Sequence, residues 1–134
     1  MKKLYLSPTS TTPEVSFSPE EDIYFIRGNS SPEDVRALYY PVIEWVKALA
    51  SAIINGNPLK YSAENPLVLI VDLEYFNSSS AKFLFDIFNE LKQLKPAGIP
   101  VKIEWYHDKE DLDMRDAGND ISMLVGMEFQ YIQK

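Results

Sequence analysis

The chain has 134 residues, 46% of them hydrophobic and 25% charged, with a formal net charge of −7 and no cysteine. That length fits one soluble domain with a core of its own, and the missing thiols exclude a disulfide framework, a thiolate metal site and a cysteine nucleophile. The acidic balance, with no basic stripe, argues against nucleic acid and against anionic membrane surfaces as partners.

The chain opens with Met1-Lys2-Lys3-Leu4-Tyr5-Leu6 and turns polar at once, too short an apolar run for a secretory signal. No stretch is expected to approach the roughly 18 apolar residues of a membrane span, so the default expectation is a cytoplasmic protein. Residues 1–13 read as a loose arm, with Leu4 and Leu6 placed to touch a sheet edge. Glu14–Ser18 and Ile23–Ile26 alternate around the turn Pro19-Glu20-Glu21-Asp22 and predict an antiparallel hairpin, with Gly28-Asn29-Ser30 breaking the second strand.

Ser31-Pro32-Glu33-Asp34 predicts a helix start with Ser31 as N-cap. Leu38, Val42, Trp45, Val46, Leu49 and Ile53 recur at helical spacing, carrying that helix through Pro41 to about Ile54, where Asn55-Gly56-Asn57-Pro58 closes it. Leu67–Val71 is a continuous apolar run, the pattern of a central strand covered on both faces, and it extends to Phe76. A second helix is predicted from about Ser79 to Leu94 and a strand over Val101–Trp105. Strand, helix and strand with short joints form a βαβ unit, so the two strands should be parallel. Asp108 to about Met123 predicts an acidic third helix and Glu128–Ile132 a last strand. The expected fold class is α/β: a single domain over 1–134, with a mixed, mostly parallel sheet of about five strands and about three helices.

The junction Asn77-Ser78-Ser79-Ser80-Ala81-Lys82 has two compatible readings. Serine and asparagine cap helices by accepting bonds from free backbone N–H groups. A hydroxyl at that position can also carry phosphate, which the unpaired N–H groups and the positive end of the helix dipole tolerate. In the helix that follows, Ser80, Leu84, Ile87, Phe88 and Leu91 share a stripe facing the sheet. Phe83 and Phe85 flank it and widen the apolar arc beyond what a core-facing helix needs, so one of the two is expected to be partly exposed.

Candidate catalytic chemistry is thin. His107 is the sole histidine and lacks a nucleophile elbow such as G-x-S-x-G; at a strand end it reads as a surface residue. Asp72 and Glu74 share a strand face, but no cleft is expected around them. The acids from Asp108 to Asp120 fit no calcium loop, because glycine and glutamate are missing at the required spacings. The five glycines form no phosphate-cradling motif. No catalytic residue, metal or cofactor is assigned. A scaffold domain binding partners through the same helix surface, and an enzyme built around His107, are the alternatives to a phosphorylation site.

The order of motifs adds to this reading. Thr12-Pro13-Glu14-Val15, Gly28-Asn29-Ser30-Ser31-Pro32-Glu33, Pro41-Val42-Ile43-Glu44-Trp45, Tyr75-Phe76-Asn77-Ser78-Ser79-Ser80-Ala81-Lys82 and Glu104-Trp105-Tyr106-His107-Asp108 together resemble the SiaC family of regulatory phosphoproteins, itself similar to the STAS group of anti-sigma-factor antagonists. The resemblance implies a STAS-like domain working as a non-enzymatic partner switch, with Ser78 as phosphoacceptor. The family often has threonine at that position, and Ser79 is the second candidate. It further implies a serine/threonine kinase of histidine-kinase-like fold, an opposing PP2C-type phosphatase, and a diguanylate cyclase bound by the unphosphorylated form in cyclic di-GMP and biofilm signalling. The implied partner-binding set is Tyr75, Phe76, Asn77, Ser79, Ser80, Lys82, Phe83 and Phe85, with Asn77 and Lys82 shaping the site.

Overall fold

A computed structural model describes residues 1–56 and 60–134. Six strands form one sheet in the order β1 (Leu4–Leu6), β2 (Glu14–Ser18), β3 (Ile23–Ser30), β4 (Leu67–Phe76), β5 (Val101–His107) and β6 (Phe129–Gln133). The helices α1 (Val35–Asn55), α2 (Ser78–Lys92) and α3 (Leu112–Val125) connect β3 to β6. The first three strands pair antiparallel and the last four parallel. Sequence neighbours are sheet neighbours throughout, so each parallel crossover moves the same way. Right-handed crossovers of that kind stack all three helices on one face.

That stacking corrects the reading of β4. Its residues alternate: Leu67, Leu69, Val71 and Leu73 are buried beneath the helices, while Val68, Ile70 and Asp72 on the other face are half-buried. Among the described residues no second helical layer lies over them; Ile70 is flanked instead by its cross-strand neighbours Phe25 and Glu104. The continuous apolar run therefore marks a central strand, but one covered by helices on a single side.

The arm is ordered, and it supplies the sixth strand. Leu4 pairs with Phe17 and Leu6 with Val15, and the Trp45 indole N–H donates to the Lys2 carbonyl at 3.0 Å. At the expected break Gly28-Asn29-Ser30 the strand continues through a register shift. Gly28, at φ 110°, pairs with Leu73 and Asn29 with Tyr75, so the extra residue of the bulge is Glu74 of β4, and the strand runs on until Ser30 pairs with Phe76. The Ser31 backbone N–H donates to the Thr11 carbonyl at 2.8 Å, tying this stretch back to the arm, and the helix starts later than expected. Asp34 is the N-cap of α1, accepting from the Ala37 N–H at 3.1 Å. Likewise Asp111, accepting from Met114 N–H at 3.0 Å, caps α3, after a turn in which the Asp111 N–H meets the Asp108 carbonyl.

Helix α1 passes through Pro41 without ending, and its described part closes at Asn55 and Gly56; Asn57 and Pro58 of the expected closing turn lie outside the described residues. At 21 residues, α1 reaches the length and apolar composition of a membrane-spanning helix, which the sequence expectation understated. Its apolar stripe of Tyr39, Val42, Val46, Leu49 and Ile53 is buried in the core. At the other end of the sheet, Trp105 is fully buried, stacked on Phe129 with centroids 5.8 Å apart and met edge-on by Phe76 at 5.8 Å. A Cβ on Gly118 of α3 would lie 2.6 Å from the Trp105 indole nitrogen. Glycine there lets α3 settle directly on the ring, whose N–H donates to the Met114 carbonyl at 2.9 Å.

Candidate functional site

The serine run sits where β4 ends at the rim of the sheet, at the carboxyl end of a parallel strand. Open α/β sheets commonly place their sites there. Asn77 is the N-cap of α2: its Oδ1 accepts from the Ser80 N–H at 2.9 Å and from the Ser79 hydroxyl at 3.1 Å. The helix is thus one residue longer at its start than predicted, and it ends at Lys92 because a series of tight turns takes over before Leu94. Its first turn holds no acidic side chain. The positive end of the dipole is therefore not neutralised by a carboxylate of the helix itself.

The three serines have different fates. Ser80 is completely buried, and its hydroxyl donates to the Ser30 carbonyl at 3.0 Å. The Ser30 hydroxyl donates to the Ser80 oxygen at 2.8 Å and meets the Tyr39 hydroxyl at 2.6 Å. The Ser30 carbonyl also accepts from the Asn77 backbone N–H at 3.0 Å. One oxygen on β3 thereby anchors both residues that bracket Ser78 and Ser79, leaving that pair exposed between them. The Ser79 hydroxyl is spent on the cap. That of Ser78 makes no hydrogen bond among the described residues.

The remaining residues expected in the partner-binding set divide by exposure. Tyr75 is 54% exposed. Phe76 and Phe85 are half-buried, packed against the core, and Phe76 turns its ring to Trp105. Phe83 is buried, stacked face to face on Tyr39 with centroids 5.7 Å apart and met edge-on by Tyr40. Of the two phenylalanines flanking the helix stripe, Phe85 is therefore the one left partly open. Ser80 and Phe83 cannot be surface contacts in this state, because α1 covers one and β3 binds the other. Lys82 is exposed but points along the helix, its Nζ 3.1 Å from Asp86 Oδ2 and 4.9 Å from the Phe83 ring centroid. A pair that open to water holds the lysine weakly, so it remains free to turn toward a new anion.

Sequence reasoning missed Tyr39, Tyr40 and Ser30. Tyr39 lies three residues before Val42 and seven before Val46, a spacing that puts it on the buried stripe, but its hydroxyl partner on β3 has no local signature. Tyr40 is 53% exposed on α1 beside Phe83, giving the first half of α2 an aromatic neighbour from a different element. On the other side, Tyr75, Phe76, Met114 and Ala117 form a groove rimmed by Glu74, Asp111 and Asp113.

The alternative sites change character in three dimensions. His107 is buried rather than at the surface, its Nδ1 2.9 Å from the Asp108 carbonyl, because the strand extends to residue 107 and is flanked there by β6. Asp72 pairs with Lys134 at 2.7 Å. A shallow polar depression formed by Pro8, Glu14, Arg27, Gly28, Asp72, Glu74 and Lys134 does surround Asp72 and Glu74, contrary to the sequence expectation. Glu14 is paired there with Arg27 and Asp72 with Lys134. Among the described residues no group of histidine or carboxylate side chains is arranged to hold a metal ion.

Comparison with known proteins yields a consistent set of matches. A family model described as SiaC family regulatory phosphoprotein matches residues 6–134. An uncharacterized protein of Pseudomonas aeruginosa (strain UCBPP-PA14) is 28% identical over 111 residues, covering 83% of this chain and 80% of the relative. Two solved structures superpose closely, each at 24% sequence identity. Apo-SiaC from Pseudomonas aeruginosa gives a TM-score of 0.79 over 100% of this chain and 99% of that one. SiaC in a crystal structure of the diguanylate cyclase SiaD with its activator SiaC, from the same organism, gives 0.81 over 98% and 99%.

Proposed function

This chain belongs to the SiaC family of regulatory phosphoproteins, and from that premise we propose that it is a partner-switching regulator controlled by reversible phosphorylation of Ser78. The single observation that carries the reading is the state of the three hydroxyls: Ser80 is buried and bonded, Ser79 is bonded to the cap, and Ser78 is exposed with no bond among the described residues. Phosphate on Ser78 would lie against the free N–H groups of the first turn and add about −1.5 to −2 charges to a turn that carries no acid of its own. The fold would survive, because Asn77 and Ser80 already hold the helix start. The surface around Ser78 would gain negative charge, and Lys82 would turn from Asp86 toward the phosphate.

In this reading the chain has no catalytic role and acts in the cytoplasm as one regulatory domain. A serine/threonine kinase of histidine-kinase-like fold adds the phosphate and a PP2C-type phosphatase removes it. The unphosphorylated form binds an effector. The complex of SiaC with the diguanylate cyclase SiaD supports a cyclase of that class as the effector here, and hence a role in cyclic di-GMP signalling and biofilm regulation. Tyr75, Tyr40, Phe85 and the half-buried edge of Phe76 supply its apolar contacts.

The test is peptide-mapping mass spectrometry of the protein purified from its own cells, followed by binding measurements with Ser78→Ala and Ser78→Asp. The expected result is one phosphate on Ser78, parent-like effector binding by Ser78→Ala, and weakened binding by Ser78→Asp. Parent-like binding by both variants would sink the switch. It would also favour a phosphorylation-independent scaffold, for which the exposure of Tyr40 and Tyr75 is the supporting observation.

A further inference from the structure

Buried hydroxyls outside the exposed site form a closed chain, and the direction of each proton can be worked out. Each hydroxyl has one proton to donate. Ser80 spends its proton on the Ser30 carbonyl, which can only accept. Ser30 therefore donates to the Ser80 oxygen, and the 2.6 Å contact with Tyr39 must be a bond donated by Tyr39. All three residues are fully buried, so the chain is shielded from water and from kinases. It spans three elements: Tyr39 on α1, Ser30 at the end of β3 and Ser80 in the first turn of α2. Stacking of Tyr39 on Phe83 fixes the ring that supplies the first proton.

We infer that Tyr39 is a positioning residue for phosphorylation: through Ser30 it holds the first turn of α2 so that Ser78, and not Ser79, presents a free hydroxyl. This inference rests on the phosphoswitch reading for its consequence, but the clamp itself is independent of it. The mechanism is direct. The Tyr39 hydroxyl sets the Ser30 side chain, Ser30 holds Ser80 by two bonds, and Ser80 donates its backbone N–H to the Asn77 side chain that also occupies the Ser79 hydroxyl. Removing the Tyr39 hydroxyl loosens this series at its origin and releases Ser79 at its end.

The experiment compares the parent with Tyr39→Phe, which keeps the ring and deletes one oxygen, and with Ser30→Ala as a second route to the same break. Two readouts are taken: residue-resolved amide exchange by NMR, and phosphate mapping on each protein purified from its own cells. The expected result is about fivefold or faster exchange at the Ser80 and Ala81 amides, with the second half of α2 unchanged. Phosphate should fall on Ser78 and appear on Ser79. Parent-like exchange at those two amides in both variants would overturn the clamp. A uniform rise in exchange along α2 with the phosphate still confined to Ser78 would overturn the positioning role, leaving Tyr39 as ordinary core. If the parent itself carries no phosphate, the phosphoswitch reading and the positioning role fail together, while the exchange arm still decides whether the clamp exists.

Discussion

Alanine substitution at each of the four residues from Asn77 to Ser80 gives a stability series that separates the exposed hydroxyl from its neighbours. Asn77→Ala removes the cap that accepts from the Ser80 N–H and the Ser79 hydroxyl, and should cost about 1 kcal/mol. Ser78→Ala removes an exposed hydroxyl that has no bond among the described residues, and the better helix propensity of alanine should leave stability within about 0.5 kcal/mol of the parent. Ser79→Ala loses one exposed bond to the cap and should cost no more than about 0.5 kcal/mol, offset in part by the same propensity gain. Ser80→Ala leaves the buried Ser30 hydroxyl without its acceptor and should cost about 1–3 kcal/mol. Urea unfolding measures the series, read as shifts in midpoint at constant slope. The order Ser80 first, Asn77 second, with Ser78 and Ser79 near zero, is the expected outcome. A Ser78→Ala loss as large as that of Ser80→Ala would refute the assignment of Ser78 as the unbonded serine, and with it the argument for its reactivity.

Three further predictions address the surroundings. Gly118→Ala should destabilise by about 1–3 kcal/mol despite alanine's higher helix propensity, because its Cβ would fall within 2.6–2.7 Å of the fully buried Trp105 ring; thermal unfolding and the fluorescence of Trp105 report it. Lys82→Ala should change stability by less than about 0.5 kcal/mol, since its pair with Asp86 is exposed, while lowering retention of phosphate at Ser78 against a PP2C-type phosphatase, followed by mass spectrometry. Burial raises the ionisation of Tyr24 and Tyr39 above the usual phenol range; for Tyr61, burial is followed by its bonds to Tyr24 and Asp22, all acting upward. A raised folded value means this stability is fully present below the unfolded phenol value near 10 and is lost as pH rises above it. Absorbance at the phenolate band should therefore show these three tyrosines ionising only as the fold melts at alkaline pH. Smooth ionisation without loss of structure would contradict their burial.

Local chemistry made much of the fold legible. The hairpin turn, the helix through Pro41, the βαβ unit and the acidic third helix follow from period, caps and punctuation, and each exists close to its expected span. The misreadings share a cause. Ser31 looked like a cap, but its backbone is tied to Thr11 in a distant loop and the cap falls to Asp34. Gly28-Asn29-Ser30 looked like a stop, but β4 supplies pairing partners that carry the strand on. Leu67–Val71 looked like a doubly covered strand, yet the crossovers all run one way. In each case a partner far along the chain outweighed a correct local preference.

The same division applies to the site. The sequence by itself determined that a helix begins after Asn77, that small hydroxyl side chains crowd its start, and that the chain resembles a family of phosphorylated regulators. Such properties depend on residues within one helical turn or on the order of motifs, and both are written linearly. Which hydroxyl is free was decided only by the tertiary structure. Ser30 lies 50 residues from Ser80 and nine from Tyr39, and only the parallel pairing of β3 with β4 and the packing of α1 on α2 bring the three together. Burial then makes each of their protons obligatory to a partner, because an unpaired hydroxyl away from water costs more than the bond it would have made. Ser80 is drawn inward, Ser79 is held by the cap, and Ser78 is left facing solvent.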